Sequence, residues 1–153
     1  VKRILYFSDS KLPLAALAGA IHTGRLPAGG DPGQSQLWGQ PFLNIKNGEG
    51  KIVSLGDDEQ GNKIYALSVK GERGMVYRLV DSFLSIYNIP DGELNLVNSG
   101  VRDNVYLLAG RLLCGSKLLA PIGYSLAMVG IRKLYGRLTQ WVLDVKTAQS
   151  NLP

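Results

Sequence analysis

The sequence predicts an α/β fold: a single domain with a small mixed sheet, a β-hairpin and helices on both faces. Two stretches carry that expectation, because each reads strand, polar loop, helix. Residues 3 to 7 pass through Ser8-Asp9-Ser10-Lys11 into a helix from Leu12, and residues 93 to 97 pass through Asn98-Ser99-Gly100 into a helix from about Arg102. The third observation is a pair of alternating segments around a run of turn residues between them. In that order the strands at 3–7 and 93–97 lie parallel, the hairpin adds antiparallel strands, and helices layer the sheet. A chain of 153 residues with 45% apolar content fits one such domain, and at this size folding typically buries about 70% of the unfolded surface. The domain is expected over 1–147, with 148–153 as a frayed tail.

The first helix, residues 12 to 23, is rich in Leu and Ala and almost uncharged, so most of its surface is expected to be buried. Gly24 stops it and Pro27 lies just beyond, the usual C-terminal punctuation. Residues 27 to 50 hold so many Gly and Pro that they read as a long loop, with Leu37-Trp38 and Phe42-Leu43 as anchors; loops of that length are either functional or mobile. Residues 51 to 55 and 63 to 69 alternate as strands, with Tyr65, Leu67 and Val69 on one face of the second. The turn Gly56-Asp57-Asp58-Glu59-Gln60-Gly61-Asn62 joins them into a hairpin. Its three acidic residues lack the spaced oxygens of a calcium loop and read as a solvated turn. Val76, Leu79, Val80, Phe83, Leu84 and Tyr87 recur at helical spacing and predict a helix over 75–88, ended by Pro90-Asp91-Gly92. A last long helix is marked by Ile131, Leu134, Tyr135, Leu138, Val142 and Val145, with Gly136 as a place where it would kink or divide.

Composition narrows the function classes. Cys114 is the only cysteine, so no intramolecular disulfide forms and a reducing, cytoplasmic setting fits. Its neighbours Leu112, Leu113 and Gly115 suggest a buried thiol. The apolar run 118–131 contains Pro121 and two glycines and falls short of the roughly 17 residues a membrane helix needs. The net charge of +5 lies wholly in the C-terminal third, where residues 101–153 carry seven Lys and Arg against two Asp and Glu. Arg132, Lys133, Arg137 and Lys146 fall on the polar side of the last helix and form no aromatic-interleaved basic stripe, which argues for a solvated face rather than a nucleic-acid surface. No cofactor or catalytic motif of recognisable spacing occurs, so neither a cofactor nor a metal is expected.

Ligands of open α/β sheets bind beyond the carboxyl ends of the strands, where the topology switches direction. That places Ser8, Asp9, Ser10 and Lys11 from one loop, with Asn98, Ser99 and Arg102 from the other, around a shared crevice. Lys11 beside a helix N-terminus suits a phosphate or carboxylate, although Asp9 would compete for the same positive helix end. Ser10 doubles as an N-cap, and Asn98, Ser99 and Asn104 double as caps for the helix after residue 102. His22, the only histidine, lies about 15 Å along the first helix from its N-terminus and is expected to favour the helix dipole. A lone His with a lone Cys gives no zinc site.

Three stretches, AIHTGRLP at 20–27, LGDDEQGNKIYAL at 55–67 and GIRKLYGRLTQWVLDVK at 130–146, carry a resemblance. In order and spacing they resemble a bacterial family known as domain of unknown function 3189, over nearly the whole chain. The resemblance implies a cytoplasmic protein of the spore-forming Firmicutes and no established substrate or catalytic residue. Members of that family carry a small-residue loop with His and Ser after the first strand. Here the place reads Ser8-Asp9-Ser10-Lys11-Leu12-Pro13, without the histidine.

The function expected from the residues is binding of a small anionic ligand at the loops after 3–7 and 93–97. Two alternatives stand beside it. One is an enzyme acting on a phosphorylated small molecule, with Lys11 and Arg102 neutralising charge and Asp9 as base. The other is an interaction or structural module, including a homo-oligomer, that docks through the segment 27–50 with Trp38 or through the helix carrying Trp141.

Overall fold

A computed structural model describes residues 1–8, 14–30, 32–40, 52–68, 73–86, 88–98 and 118–151. Four strands, β1 (Arg3–Ser8), β2 (Ile52–Asp57), β3 (Lys63–Ser68) and β4 (Leu94–Asn98), form one sheet in the order β2-β3-β1-β4. β1 is therefore interior. It runs parallel to both neighbours, and β2 closes one edge antiparallel to β3. The expected parallel pairing of the first and last strands is present, and so is the hairpin. The hairpin joins the sheet on the far side of β1 from β4, with β3 itself parallel to β1. Burial on both faces explains why β1 is a near-continuous apolar run: Ile4, Leu5, Tyr6 and Phe7 are all at most 3% exposed.

Alternate residues of β1 serve two cores. Ile4 and Tyr6 pack with α1 (Leu14–His22) and the last helix, whereas Leu5 and Phe7 pack with α3 (Arg73–Ile86). All nine residues of α1 are buried, as its uncharged composition implies. Gly19 permits this close approach, because a Cβ there would lie 2.2 Å from Leu55 Cδ1 and 3.3 Å from Ile64 Cγ2. Within the segment expected to be loop, a short helix α2 (Gln34–Trp38) forms between Gly33 and Gly39, and its Leu37 anchors the segment with no exposed surface. The Gly33 amide donates to Gln36 Oε1, which starts this turn locally.

The last helix, α4 (Ala120–Ser150), is continuous for 31 residues and passes through Gly136 without a break. Met128, Ile131, Leu134, Tyr135, Leu138 and Val142 bury one side of it against α1 and the sheet. The Tyr135 hydroxyl donates to the Pro27 carbonyl and ties the chain leaving α1 to α4; burial pushes its pKa up to about 12. α3 buries a narrower line than its sequence suggests. Val76, Val80 and Leu84 face the sheet, while Leu79, expected on the buried stripe, is 63% exposed. Residues spaced by four suffice for contact along one line, so the flank of α3 stays open. Among the described residues no helix is long and apolar enough to cross a membrane. The helix expected after Arg102, Cys114 and the anchor Phe42-Leu43 lie outside the described residues.

Candidate functional site

The strand order fixes where the connections part. β1 is followed by α1 on the Tyr6 face, and its neighbour β3 is followed by α3 on the Phe7 face. Divergent connections from adjacent parallel strands open a crevice at their carboxyl ends. Ser8 ends β1 there, on the same alternation as Ile4 and Tyr6 and hence toward α1. It is 1% exposed, and its Oγ is buried with no hydrogen-bond partner among the described residues. A buried hydroxyl in that state costs roughly 1–3 kcal/mol, which native structures rarely tolerate without a compensating group.

Ser68 is the register partner of Ser8 on β3, so the two Cα atoms lie about 4.8 Å apart across the pair. It follows Ile64 and Ala66 on the α1 side of the sheet. Two serines thus end neighbouring strands side by side. The first described turn of α1 holds no acidic residue, so within that turn nothing offsets the positive end of the helix dipole. Asn98 ends β4 opposite Phe7 rather than Ser8, one step out of register with the serine pair. Asp9, Ser10, Lys11, Ser99 and Arg102 lie outside the described residues. Chain length alone keeps the Lys11 Cα within about 11 Å of that of Ser8.

Sequence reasoning missed Ser68. The alternation of its strand already set Tyr65 and Leu67 on one face and therefore 64, 66 and 68 on the other. What the sequence lacked was the pairing of β3 with β1, which no local pattern encodes.

A second polar cluster lies deeper on the same face of β1. Tyr6 Oη and His22 Nδ1 are 2.7 Å apart, and His22 Nε2 and Asp58 Oδ2 are 3.3 Å apart. Burial, with the Asp58 charge adding to it, raises the Tyr6 pKa well above its ordinary value, so the phenol is neutral and donates to Nδ1. The imidazole then carries its proton on Nε2 and donates to Asp58. Asp58 Oδ1 accepts from the backbone amides of Gln60 and Asn62, each at 2.8 Å, and Oδ2 accepts from Asn62 Nδ2 at 3.0 Å. Asn62 Oδ1 in turn accepts from the Lys2 amide at 3.1 Å. Gly61, at φ +79°, supplies the left-handed step this tight turn needs. The Trp141 ring meets the Tyr6 ring edge-on, with centroids 4.9 Å apart.

These contacts correct two expectations. His22 is in the last turn of α1, but burial first and the Lys146 charge second lower its pKa, outweighing Asp58 and Glu59. A neutral imidazole acts here as a hydrogen-bond hub between elements, not as a cation on the helix dipole. The acidic turn is solvated only at Asp57 and Glu59; the Asp58 side chain is 4% exposed. Burial pushes the Asp58 carboxyl up, but the bonds from Asn62 and Gln60 hold it below the usual carboxylate value. Among the described residues no group of His, Cys, Asp and Glu is placed to hold a metal. With Tyr6 wholly buried and His22 1% exposed, the array has no face toward a substrate.

An apolar groove of about 490 Å³ runs between α3 and the sheet, lined by residues including Leu5, Ile52, Leu67, Met75 and Leu79. Its charged lining residue, Arg3, is held at 2.8 Å by Glu93. The groove therefore offers an anion little attraction.

The family described as "Protein of unknown function (DUF3189)" matches residues 3–147. No curated protein and no solved structure matches the chain.

Proposed function

Since the chain belongs to the DUF3189 family, whose description assigns no activity, we propose from its own residues that it binds a small anionic ligand at the carboxyl ends of its parallel strands. The observation that carries this is the buried Oγ of Ser8, without a partner among the described residues, where the β1 and β3 connections part. A ligand oxygen accepting from that hydroxyl removes the penalty of leaving it unbonded. Ser68 beside it adds a donor, and a first described turn of α1 without acidic residues adds positive potential. Lys11, three residues on in the chain, is the cation that the sequence offers for this role. The lone Cys114 suits a reducing compartment, so we place this binding in the bacterial cytoplasm.

The test is a thermal-shift series with inorganic phosphate, sulfate, sugar phosphates and nucleotides on the wild type, Ser8→Ala and Lys11→Ala. A ligand at 100 times its dissociation constant stabilises the native state by about 2.7 kcal/mol. One anion class is expected to raise the melting temperature of the wild type and to lose most of that effect in both variants. Equal gains in all three proteins, or none in any, would contradict binding at Ser8.

A further inference from the structure

We propose that Tyr6, His22 and Asp58 form an acid-sensitive latch, in which proton uptake by His22 releases the β2–β3 turn from the end of α1. The three residues come from three separate pieces of chain: Tyr6 from β1, His22 from the last turn of α1 and Asp58 from the turn after β2. Asp58 holds its own turn together through the Gln60 and Asn62 amides, and Asn62 ties that turn to the chain before β1 through the Lys2 amide. The bond to His22 is thus the polar link between this whole assembly and α1.

Hydrogen-bond direction makes the link one-sided in pH. In the neutral array the Tyr6 hydroxyl donates to Nδ1, so a proton arriving on Nδ1 meets another donor. Among the described residues the Tyr6 hydroxyl bonds only His22. To accommodate the imidazolium, the phenol must turn its proton away into a core closed by the edge-on Trp141 ring, where it loses its acceptor. The charge itself would sit on a ring 1% exposed. The charged groups facing it are Asp58 and Glu59 from the turn, which favour the cation, and Lys146 from α4, which opposes it, with the neutral phenol of Tyr6 on the strand side. Asp58 is a weakened counter-ion because its two oxygens already accept from two backbone amides and the Asn62 side chain. Burial and Lys146 together prevail, and the native His22 pKa lies below the ordinary 6.5.

The direction of the pH effect follows. Between the native His22 pKa and 6.5 the unfolded chain binds more protons than the native one, so stability present above 6.5 is lost as the pH falls through that window. Loss from protonating Asp58 begins only below its ordinary 3.8, so the two events separate.

His22 is the only histidine, so its imidazole C2 proton is a single, self-assigned signal in the NMR spectrum of the full chain. Two measurements between pH 8 and 5 test the latch: the titration of that signal, and amide exchange at Gln60 and Asn62 corrected for intrinsic rates. The expected result is a titration midpoint below 6.5, with protection at both amides falling about tenfold for each unit by which the midpoint lies below 6.5. In His22→Gln, which keeps a donor and an acceptor but does not titrate in this range, protection should stay flat. A midpoint at or above 6.5 in the folded wild type overturns the latch whether or not the variant folds. So does protection at Gln60 and Asn62 that is unchanged across the wild-type titration.

Discussion

Tyr6 and Ser8 lie two residues apart on the same face of the same strand, both buried to 1% or less, and their hydroxyls are treated in opposite ways. Tyr6 Oη is locked to His22 at 2.7 Å, and the chain of bonds continues through Asp58 and Asn62 to the Lys2 backbone. Ser8 Oγ has no partner among the described residues. A polar group whose bonds are all made inside the protein has nothing left for a ligand, however much its residue types resemble a catalytic triad. A polar group buried without a bond at the edge of a crevice has its bonding capacity in reserve. The contrast separates an internal brace from the proposed binding position on one strand.

The largest effect expected from breaking it is at the brace. His22→Ala strands the Tyr6 hydroxyl and takes one of two donors from Asp58 Oδ2, and should lower stability by about 3 kcal/mol in urea unfolding at pH 7.5. Tyr6→Phe keeps the ring against Trp141 and removes only the donor to Nδ1, so a loss of about 1–2 kcal/mol is expected in the same measurement. A Tyr6→Phe protein as stable as the wild type would mean that the 2.7 Å bond contributes nothing. Smaller still is Lys146→Met. This half-exposed cation opposes the charge on His22, so its removal should raise the midpoint of the His22 C2 proton signal and shrink the stability lost between pH 7.5 and 5.5. A midpoint that stays put would remove Lys146 from the account.

Why one pole of this contrast was legible in the sequence and the other was not comes down to range. Local patterns were enough for the strand at 3–7, the hairpin, α3, α4 and the parallel pairing of β1 with β4, because alternation, helical spacing and turn residues act within a few positions. Ser8 at the end of the first apolar run was legible as a position, although the sequence reads it as loop and the structure makes it the last, buried residue of β1. The partners that decide meaning are distant in sequence. Ser68 reaches Ser8 only through the β1–β3 register, 60 residues away, and Asp58 reaches His22 across 36. From the sequence, Asp58 reads like its solvated neighbours Asp57 and Glu59, and His22 like any histidine in a last helical turn. The exposure of Leu79 has the same origin, because its spacing is helical but Val76, Val80 and Leu84 are the α3 side chains that the sheet buries among the described ones.

The smallest effect on stability is expected at Ser8 itself, and it carries the central claim. Equilibrium urea unfolding of Ser8→Ala and the wild type, each with and without inorganic phosphate, measures it directly. Without phosphate the variant should match the wild type or exceed it by up to about 1 kcal/mol, because a hydroxyl without a bond has been removed. With phosphate the wild type should gain stability and the variant should not. A variant that is destabilised without phosphate, yet gains as much from it as the wild type, would show that Ser8 braces the fold and that the anion binds elsewhere.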